Sequence, residues 1–175
     1  IIAKQIGDDQ YLTIFCHYNG YPDDNGAILL KHYNTPEKVN ALLALGDLDV
    51  LHEKIEPSPQ MPHTEDTPQP GVTVAMGRDM GLSNTAPVMM TFDELTESPY
   101  TGIEYTYVFD KDEKWIYFPA GEEYEWRHLK EDLENDTIHF AVPDEKLMAV
   151  LGLADDTVDS EFEEEKIEHE MYGGM

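Results

Sequence analysis

The residues best suited to chemistry in this sequence lie close together near its beginning. Cys16 and His17 are adjacent, and Tyr21 and His32 follow shortly after them. A cysteine activated by a histidine is a nucleophile in several classes of enzyme. Neighbouring residues on a strand point to opposite faces of a sheet, so Cys16 and His17 cannot pair with each other. A lone cysteine in an alternating strand is usually a small buried residue. The sequence therefore favours a structural role for Cys16, and an enzyme or ligand-binding protein built on this region stays open as an alternative.

Motifs for metal ions and cofactors are missing from the sequence. The seven histidines and the single cysteine show no HExxH, CxxC or His-x-His spacing, which zinc sites commonly use. Asp110-Lys111-Asp112 opens like a calcium loop, but Trp115 stands at the position of the required glycine and Gly121 at that of the glutamate. This stretch predicts a hairpin turn instead. Arg78 and Asp79 lie in a segment without the phosphate-loop pattern and predict a local ion pair. We therefore predict no metal and no cofactor.

Charge is the most unusual property of the chain. It carries 37 acidic and 11 basic residues, a net charge of −26. A net charge of roughly 2 to 8 in magnitude is enough to keep a small domain soluble. Nucleic acids and anionic membranes repel such a chain, so direct binding to either is excluded. The expected counterparts are cationic protein surfaces, metal cations or a high-salt medium.

The acidic residues concentrate in three segments, 93–113, 122–136 and 155–170. Acids three or four positions apart on a helix lie about 5–6 Å apart, which is comparable to the charge spacing along a nucleic-acid backbone. A rigid surface of this kind fits the basic groove of a DNA- or RNA-binding protein. The alternative is a solvated surface that serves solubility or a salt-loving host. The predicted partner-binding residues are Glu122, Glu123, Glu125, Glu131, Asp132, Glu134, Asp136, Asp155, Asp156, Asp159, Glu161, Glu163, Glu164, Glu165 and Glu168.

Hydrophobic patterning predicts an α+β fold, with a mostly antiparallel sheet and helices packed on one face. Alternating residues indicate two hairpins, one from IIAKQIG and YLTIFCHYN, the other from IEYTYVF and KWIYF. Further strands are expected at VTVAM, VMMTF and TIHFAV, and helices at AILLKHY, at EEYEWRHLKEDLEND and at KLMAVLGL. Asp23-Asp24-Asn25 predicts a cap for the first helix, and Thr35-Pro36 begins another that stops by Gly46. In the EEYEWRHLKEDLEND helix, Trp126, Leu129 and Leu133 are expected to point inward.

The chain length suits a single domain, which we place at 1–154. Residues 54–70 contain five prolines and predict a mobile loop or an extended connector rather than a buried element. Residues 155–175 form an acidic C-terminal segment, expected to be a helix or tail. IIAKQIGDDQ lacks the features of a signal peptide, and no apolar run is long enough to span a membrane. With one cysteine, these features predict the cytoplasm of a host cell.

Two blocks of the sequence resemble a family of small, mostly uncharacterised proteins of bacteriophages, prophages and other mobile elements. The first is FCHYNGYPDDNGAILLKHYNTPEKVNALLALGDL, with the Cys-His-aromatic-Asn-Gly-Tyr signature at 16–21 and a Pro-Glu-Lys-Val helix ending in Gly-Asp-Leu. The second is IEYTYVFDKDEKWIYF with EWRHLKEDLE. The chain departs from the family pattern at Asp24-Asn25-Gly26 and at Arg78-Asp79-Met80-Gly81-Leu82. The resemblance implies a mobile-element origin and no established activity.

Origin and charge together predict a non-enzymatic inhibitor. Its partner would be a basic nucleic-acid-binding host defence protein, a CRISPR effector or a restriction enzyme, which it would block by mimicking DNA. In type it is similar to acidic anti-restriction and anti-CRISPR proteins, an analogy of class. A small enzyme, or a phage accessory protein whose acidic surface only aids solubility, are the alternatives.

Overall fold

The computed structural model describes residues 1–97, 102–120 and 125–137 of the chain. The chain divides into two units, Ile1–Ala141 and Val142–Met175, and all the described residues belong to the first. The strand predicted at TIHFAV begins at the last described residue, so it lies outside the described part, as do the KLMAVLGL helix and the acidic segment 155–175. Among the described helices, none is both long and apolar enough to cross a membrane.

The described part of the chain alternates short strands and short helices. The strands are β1 (Ile2–Gly7), β2 (Gln10–Ile14), β3 (Leu48–Val50), β4 (Val74–Ala75), β5 (Val88–Met90), β6 (Tyr105–Phe109), β7 (Trp115–Pro119) and β8 (Arg127–His128). The α-helices are α1 (Ala27–His32), α2 (Pro36–Leu43), α3 (Met76–Met80), α4 (Phe92–Thr96) and α5 (Leu129–Asn135), and a π-helical turn, Pro22–Gly26, precedes α1.

Six strands form the main sheet, in the order β5-β2-β1-β6-β7-β8. Neighbouring strands are antiparallel except for β1 and β6, which are parallel with Ile2 opposite Tyr107. Both predicted hairpins are present, as β1–β2 and as β6–β7. Strands β3 and β4 make a separate two-stranded sheet. The α+β class and the mostly antiparallel sheet are thus confirmed.

Each face of the main sheet supports a hydrophobic cluster. Because side chains alternate along a strand, Tyr105, Tyr107 and Phe109 of β6 share one face, and Val108 points to the other. The first face packs against buried leucines of α1, α2 and α5, namely Leu29, Leu42, Leu43 and Leu129. The second face packs against Leu95 of the short helix α4. Most of the helical cover therefore lies on one face, as predicted, and α4 contributes to the other.

Local capping signals place the start of α2 correctly but not that of α1. Thr35 caps α2 by accepting a hydrogen bond from the Lys38 N–H, with Pro36 as the first helical residue. The start of α1 has no side-chain cap, which corrects the prediction for Asp23-Asp24-Asn25. The π-helical turn enters α1 directly, and it turns the Asn25 side chain into the core.

The predicted helix EEYEWRHLKEDLEND is too long in its described part, because residues 127 and 128 pair with a strand instead. Its residues 122–124 lie outside the described residues. Arg127 and His128 extend along β7 as a strand, so α5 begins only at Leu129. Trp126 then lies on the second face, where its ring packs edge-on against that of Phe118 with the ring centroids 4.7 Å apart. The prediction that Trp126 and Leu129 share a face is therefore wrong, whereas Leu129 and Leu133 do pack on the first cluster.

The proline-rich segment 54–70 is a mostly exposed loop, as expected, and one buried side chain anchors it. Gln69 is buried, and its amide group donates to the Ser58 and Met61 carbonyls while accepting from the Ser58 N–H. At the base of the loop, the Lys54 N–H donates to the Gly71 carbonyl, and the Thr73 N–H donates to that of Lys54. The loop is thus closed on itself rather than extended.

Candidate partner-binding surface

Cys16 and His17 lie on opposite sides of the backbone, as predicted. Cys16 is 8% exposed and belongs to the first hydrophobic cluster. The Asn25 Nδ2 group donates to the Cys16 sulfur at 3.4 Å and to the Tyr18 carbonyl at 2.8 Å. The His17 side chain is 51% exposed, with Nδ1 placed 3.1 Å from Asp49 Oδ1. The two chemical groups therefore face different environments and share no site.

The environment of Cys16 does not suit a nucleophile. Burial raises the pKa of its thiol above the ordinary value, against the opposing effect of the Asn25 hydrogen bond. The thiolate is the reactive form of cysteine, and activated cysteines lie in exposed, electropositive places. Cys16 fits the description of a core residue.

Arg78 and Asp79 form the predicted ion pair, and His63 joins them. Arg78 Nε lies 2.7 Å from Asp79 Oδ1, and its Nη2 donates to Oδ2 at 2.9 Å. The His63 side chain is 2% exposed, with Nε2 at 3.3 Å from Asp79 Oδ2. Burial alone would raise the pKa of Asp79, but hydrogen bonds from Arg78 and the Ala75 N–H lower it below its ordinary value. The result is a buried charged cluster at the end of β4.

This buried cluster ties the proline-rich loop to the rest of the fold. The Gln69 N–H donates to His63 Nδ1 at 3.0 Å, which places the proton of a neutral ring on Nε2. Nε2 lies 3.1 Å from the Thr73 carbonyl, a second acceptor beside Asp79. Both ring nitrogens are thus hydrogen-bonded to other groups of the protein, so neither nitrogen of His63 is free to act as a base. The cluster is structural, and sequence spacing gave no sign that His63 belongs to it.

Asp132 is a second buried carboxylate, which removes it from the predicted partner-binding surface. It is 7% exposed. It accepts hydrogen bonds from Arg127 Nε at 2.6 Å, from Arg127 Nη2 at 2.9 Å, from the Tyr117 hydroxyl at 2.7 Å and from Thr137 Oγ1 at 3.0 Å. The hydrogen bond from Arg127 lowers the pKa of Asp132 more than burial raises it. Asp132 anchors α5 to β7 and β8, where a partner cannot reach it.

The surface of the described part carries many more acidic than basic residues. Arg78 and Arg127 are the only arginines in the sequence, and each is bound to a buried carboxylate. In the described part of the chain, 19 acidic residues are exposed, against seven exposed basic residues, six lysines and Arg78. The exposed surface of the described part is therefore strongly acidic, with an excess of twelve acidic residues.

Four of the predicted partner-binding residues are exposed in the described part, namely Glu125, Glu131, Glu134 and Asp136. Glu131 and Glu134 lie on α5, where Lys130 and Glu134 form a loose pair at 3.8 Å. The other predicted residues lie outside the described part: Glu122, Glu123, Asp155, Asp156, Asp159, Glu161, Glu163, Glu164, Glu165 and Glu168.

A groove of about 480 Å³ runs between α1, the β6–β7 turn and α5. Leu30, Phe109 and Trp115 form its apolar lining, and Glu131 and Glu134 of α5 stand along it. Its polar lining also includes Asn34, Glu113, Lys114, His128 and Lys130. The sequence shows no sign of this groove, because α1 is separated by about 80 residues or more from the other segments that line it. No local sequence pattern connects segments that far apart.

Groups of histidine, cysteine and acidic residues arranged to hold a metal ion were not found in the described part of the chain. Asp110 Oδ1 instead accepts from the backbone N–H groups of Asp112 and Lys114 at 2.9 Å each, which builds the predicted hairpin turn.

Comparisons of the chain with protein-family models, curated proteins and solved structures gave no match. The resemblance of residues 15–48 to the mobile-element family therefore stays a prediction.

Proposed function

We propose that this protein is a non-enzymatic inhibitor that occupies the nucleic-acid-binding groove of a basic host defence protein, a CRISPR effector or a restriction enzyme. The observation that carries the proposal is the excess of 19 exposed acidic residues over seven exposed basic residues in the described part. Solubility of a small domain needs far less charge than the −26 of the whole chain. A cationic surface of a partner gives the remaining charge a use.

The scaffold beneath these carboxylates is well packed, which a mimic requires. Two hydrophobic clusters cover both faces of the sheet, and buried ion pairs hold α5 and the proline-rich loop. A rigid acidic surface loses little conformational entropy on binding. It also attracts a basic groove by the same counterion release and long-range steering that attract nucleic acid.

The mobile-element origin implied by the sequence resemblance supports a target in host defence. A phage or plasmid gains from blocking proteins that cut or bind its nucleic acid. Such a target lies in the host cytoplasm, where a chain with one cysteine also fits.

The proposal is tested by capture followed by inhibition. The immobilised protein is exposed to host lysate at low salt, with and without competing duplex DNA, and bound proteins are identified. We expect a nucleic-acid-binding protein that is released by salt and by DNA, and whose DNA binding the soluble protein inhibits. Capture that is indifferent to salt and DNA, or a captured protein whose DNA binding is unaffected, would contradict mimicry.

A charge-matched pair of variants shows whether the acids of 125–136 carry the effect. One variant replaces Glu125, Glu131, Glu134 and Asp136 by their amides. The control makes four amide replacements at the exposed residues Glu37, Glu53, Glu56 and Glu65. We expect the first variant to inhibit the captured protein more weakly than the control does, although both have the same net charge.

A further inference from the structure

We propose that the groove between α1, the β6–β7 turn and α5 receives an arginine side chain of the basic partner. This inference rests on the proposed function and adds to it a specific point of attachment. An acidic surface alone attracts any cation, whereas a groove with an apolar wall and placed carboxylates selects one kind of side chain.

The groove combines apolar surface with carboxylates, the two features that bind an arginine side chain. Leu30 lines it with partly exposed apolar surface, against which the aliphatic part of the side chain packs, and Phe109 and Trp115, 1% and 3% exposed, form its floor. Glu113 of the β6–β7 turn and Glu131 of α5 bring carboxylates from two different elements. Its volume of about 480 Å³ accommodates one long side chain together with part of the backbone that carries it.

Local charge favours a single cation in the groove. Lys130 lies 3.8 Å from Glu134, so these two charges largely offset each other. The ion pairs found among the described residues involve neither Glu113 nor Glu131. Lys114 is the remaining lysine of the lining, which leaves one net negative charge. An anion would meet three glutamates and the field of a strongly acidic protein.

Guanidinium chemistry suits this arrangement better than an ammonium group does. Arginine presents five N–H donors in a planar fork that binds carboxylates in pairs, and it packs against aromatic rings. Arginine is also enriched among the residues that dominate binding energy at interfaces. The Trp115 indole N–H is already donated to the Tyr33 carbonyl at 2.8 Å, so the ring is held in place as part of the wall.

The experiment uses Trp115 as a reporter of the groove. Trp126, the only other tryptophan, lies on the opposite face of the sheet, and Trp126→Phe leaves Trp115 as the sole indole. In this background, the fluorescence of Trp115 is followed while a triarginine or a trilysine peptide is added at low salt. We expect triarginine to shift the Trp115 emission and to bind several-fold more tightly than trilysine.

Two charge-matched double variants locate the binding. Glu113→Gln with Glu131→Gln removes two groove carboxylates, and Glu37→Gln with Glu56→Gln removes two exposed carboxylates elsewhere. We expect the groove pair to weaken triarginine binding about tenfold, as loss of charge-assisted hydrogen bonds implies, and the control pair to weaken it about twofold or less. Lys114→Gln, which removes the opposing cation, should strengthen it. Thermal unfolding of each variant checks that the fold is intact.

Each contrary result has a distinct meaning. If the two double variants lose the same triarginine affinity, or if the Trp115 emission does not respond to triarginine, the groove is not the binding site. General attraction of cations to the acidic surface would then explain the binding. Trilysine that binds as tightly as triarginine also overturns the arginine assignment. The proposed function fails separately, if the full chain neither captures nor inhibits a nucleic-acid-binding protein.

Discussion

Arg127 Nε lies 2.6 Å from Asp132 Oδ2, and Arg127 Nη2 lies 2.9 Å from Oδ1, so the two side chains form a two-point ion pair. The hydroxyl of Tyr117 donates to the same carboxylate from the neighbouring strand. One of the chain's two arginines is thereby committed to holding α5 against the sheet. The same pair withdraws Asp132 from the surface, where it is only 7% exposed.

Asp132→Asn should therefore destabilise the fold. The amide cannot satisfy both Arg127 and the Tyr117 hydroxyl as acceptors, and we expect the free energy of unfolding to fall by about 2–3 kcal/mol. Glu131→Gln, one position earlier and exposed, should change it by about 0.5 kcal/mol or less. Urea unfolding of the two variants measures both values. Equal stabilities would show that the Arg127–Asp132 pair contributes nothing.

The same carboxylate should make stability depend on pH in a defined direction. The pKa of Asp132 is lower in the folded chain than its ordinary value of 3.8. Its contribution is thus fully present above the unfolded pKa and is lost as pH falls through the folded pKa. We expect the stability difference between the native chain and Asp132→Asn to be constant from pH 7 to about 5 and to shrink below about 4. Comparing the two chains at each pH cancels most of the effect of the other carboxylates.

Gln69 should control the order of the proline-rich loop. Gln69→Ala removes the part-buried hydrogen bonds to Ser58 and Met61 that close the loop, so the loop should open locally. Limited proteolysis within 54–70 should become faster, while hydrogen exchange of β6 and β7 stays unchanged. Gln60→Ala, at an exposed position of the same loop, is the control. A cleavage rate equal in both variants would contradict the anchoring role.

Cys16 should behave as a core residue rather than a reactive thiol. Because the side chain is buried and its pKa is raised, we expect it to react with a thiol reagent only as fast as the protein unfolds. Cys16→Ala should cost about 1 kcal/mol of stability, as a small cavity implies. Inhibition of a captured target should be unchanged in this variant. Fast modification of the native thiol would instead revive the enzyme alternative.

Several features of the fold and of the site follow from local sequence alone. Alternating apolar residues predict both hairpins, and Thr35-Pro36 predicts the start of α2. The opposite orientation of Cys16 and His17 follows from the period of a strand. The acidic composition by itself predicts a strongly negative surface. The hairpin, capping and strand signals each lie within a few residues, and the composition is a property of the whole chain, so none of these predictions needs contacts between distant segments.

Other features depend on contacts between distant segments, and only the tertiary structure decides them. β1 pairs with β6 about 100 residues further along, which no local pattern encodes. Pairing of Arg127 and His128 with β7 shortens the predicted helix and turns Trp126 to the second face. The burial of Gln69, His63 and Asp132 likewise comes from neighbours that folding brings together.

The distinction between the two groups has a physical basis. Turns, helix caps and the alternation of apolar residues along a strand depend on residues that are close in the sequence, so the residue types predict them. Burial of a charged side chain is decided by whether a partner reaches it, since an unpaired buried charge is too costly to persist. Thus the sequence by itself determined that this protein is strongly acidic and built from hairpins and short helices. Only the tertiary structure decided which acids are bound inside and which remain on the surface.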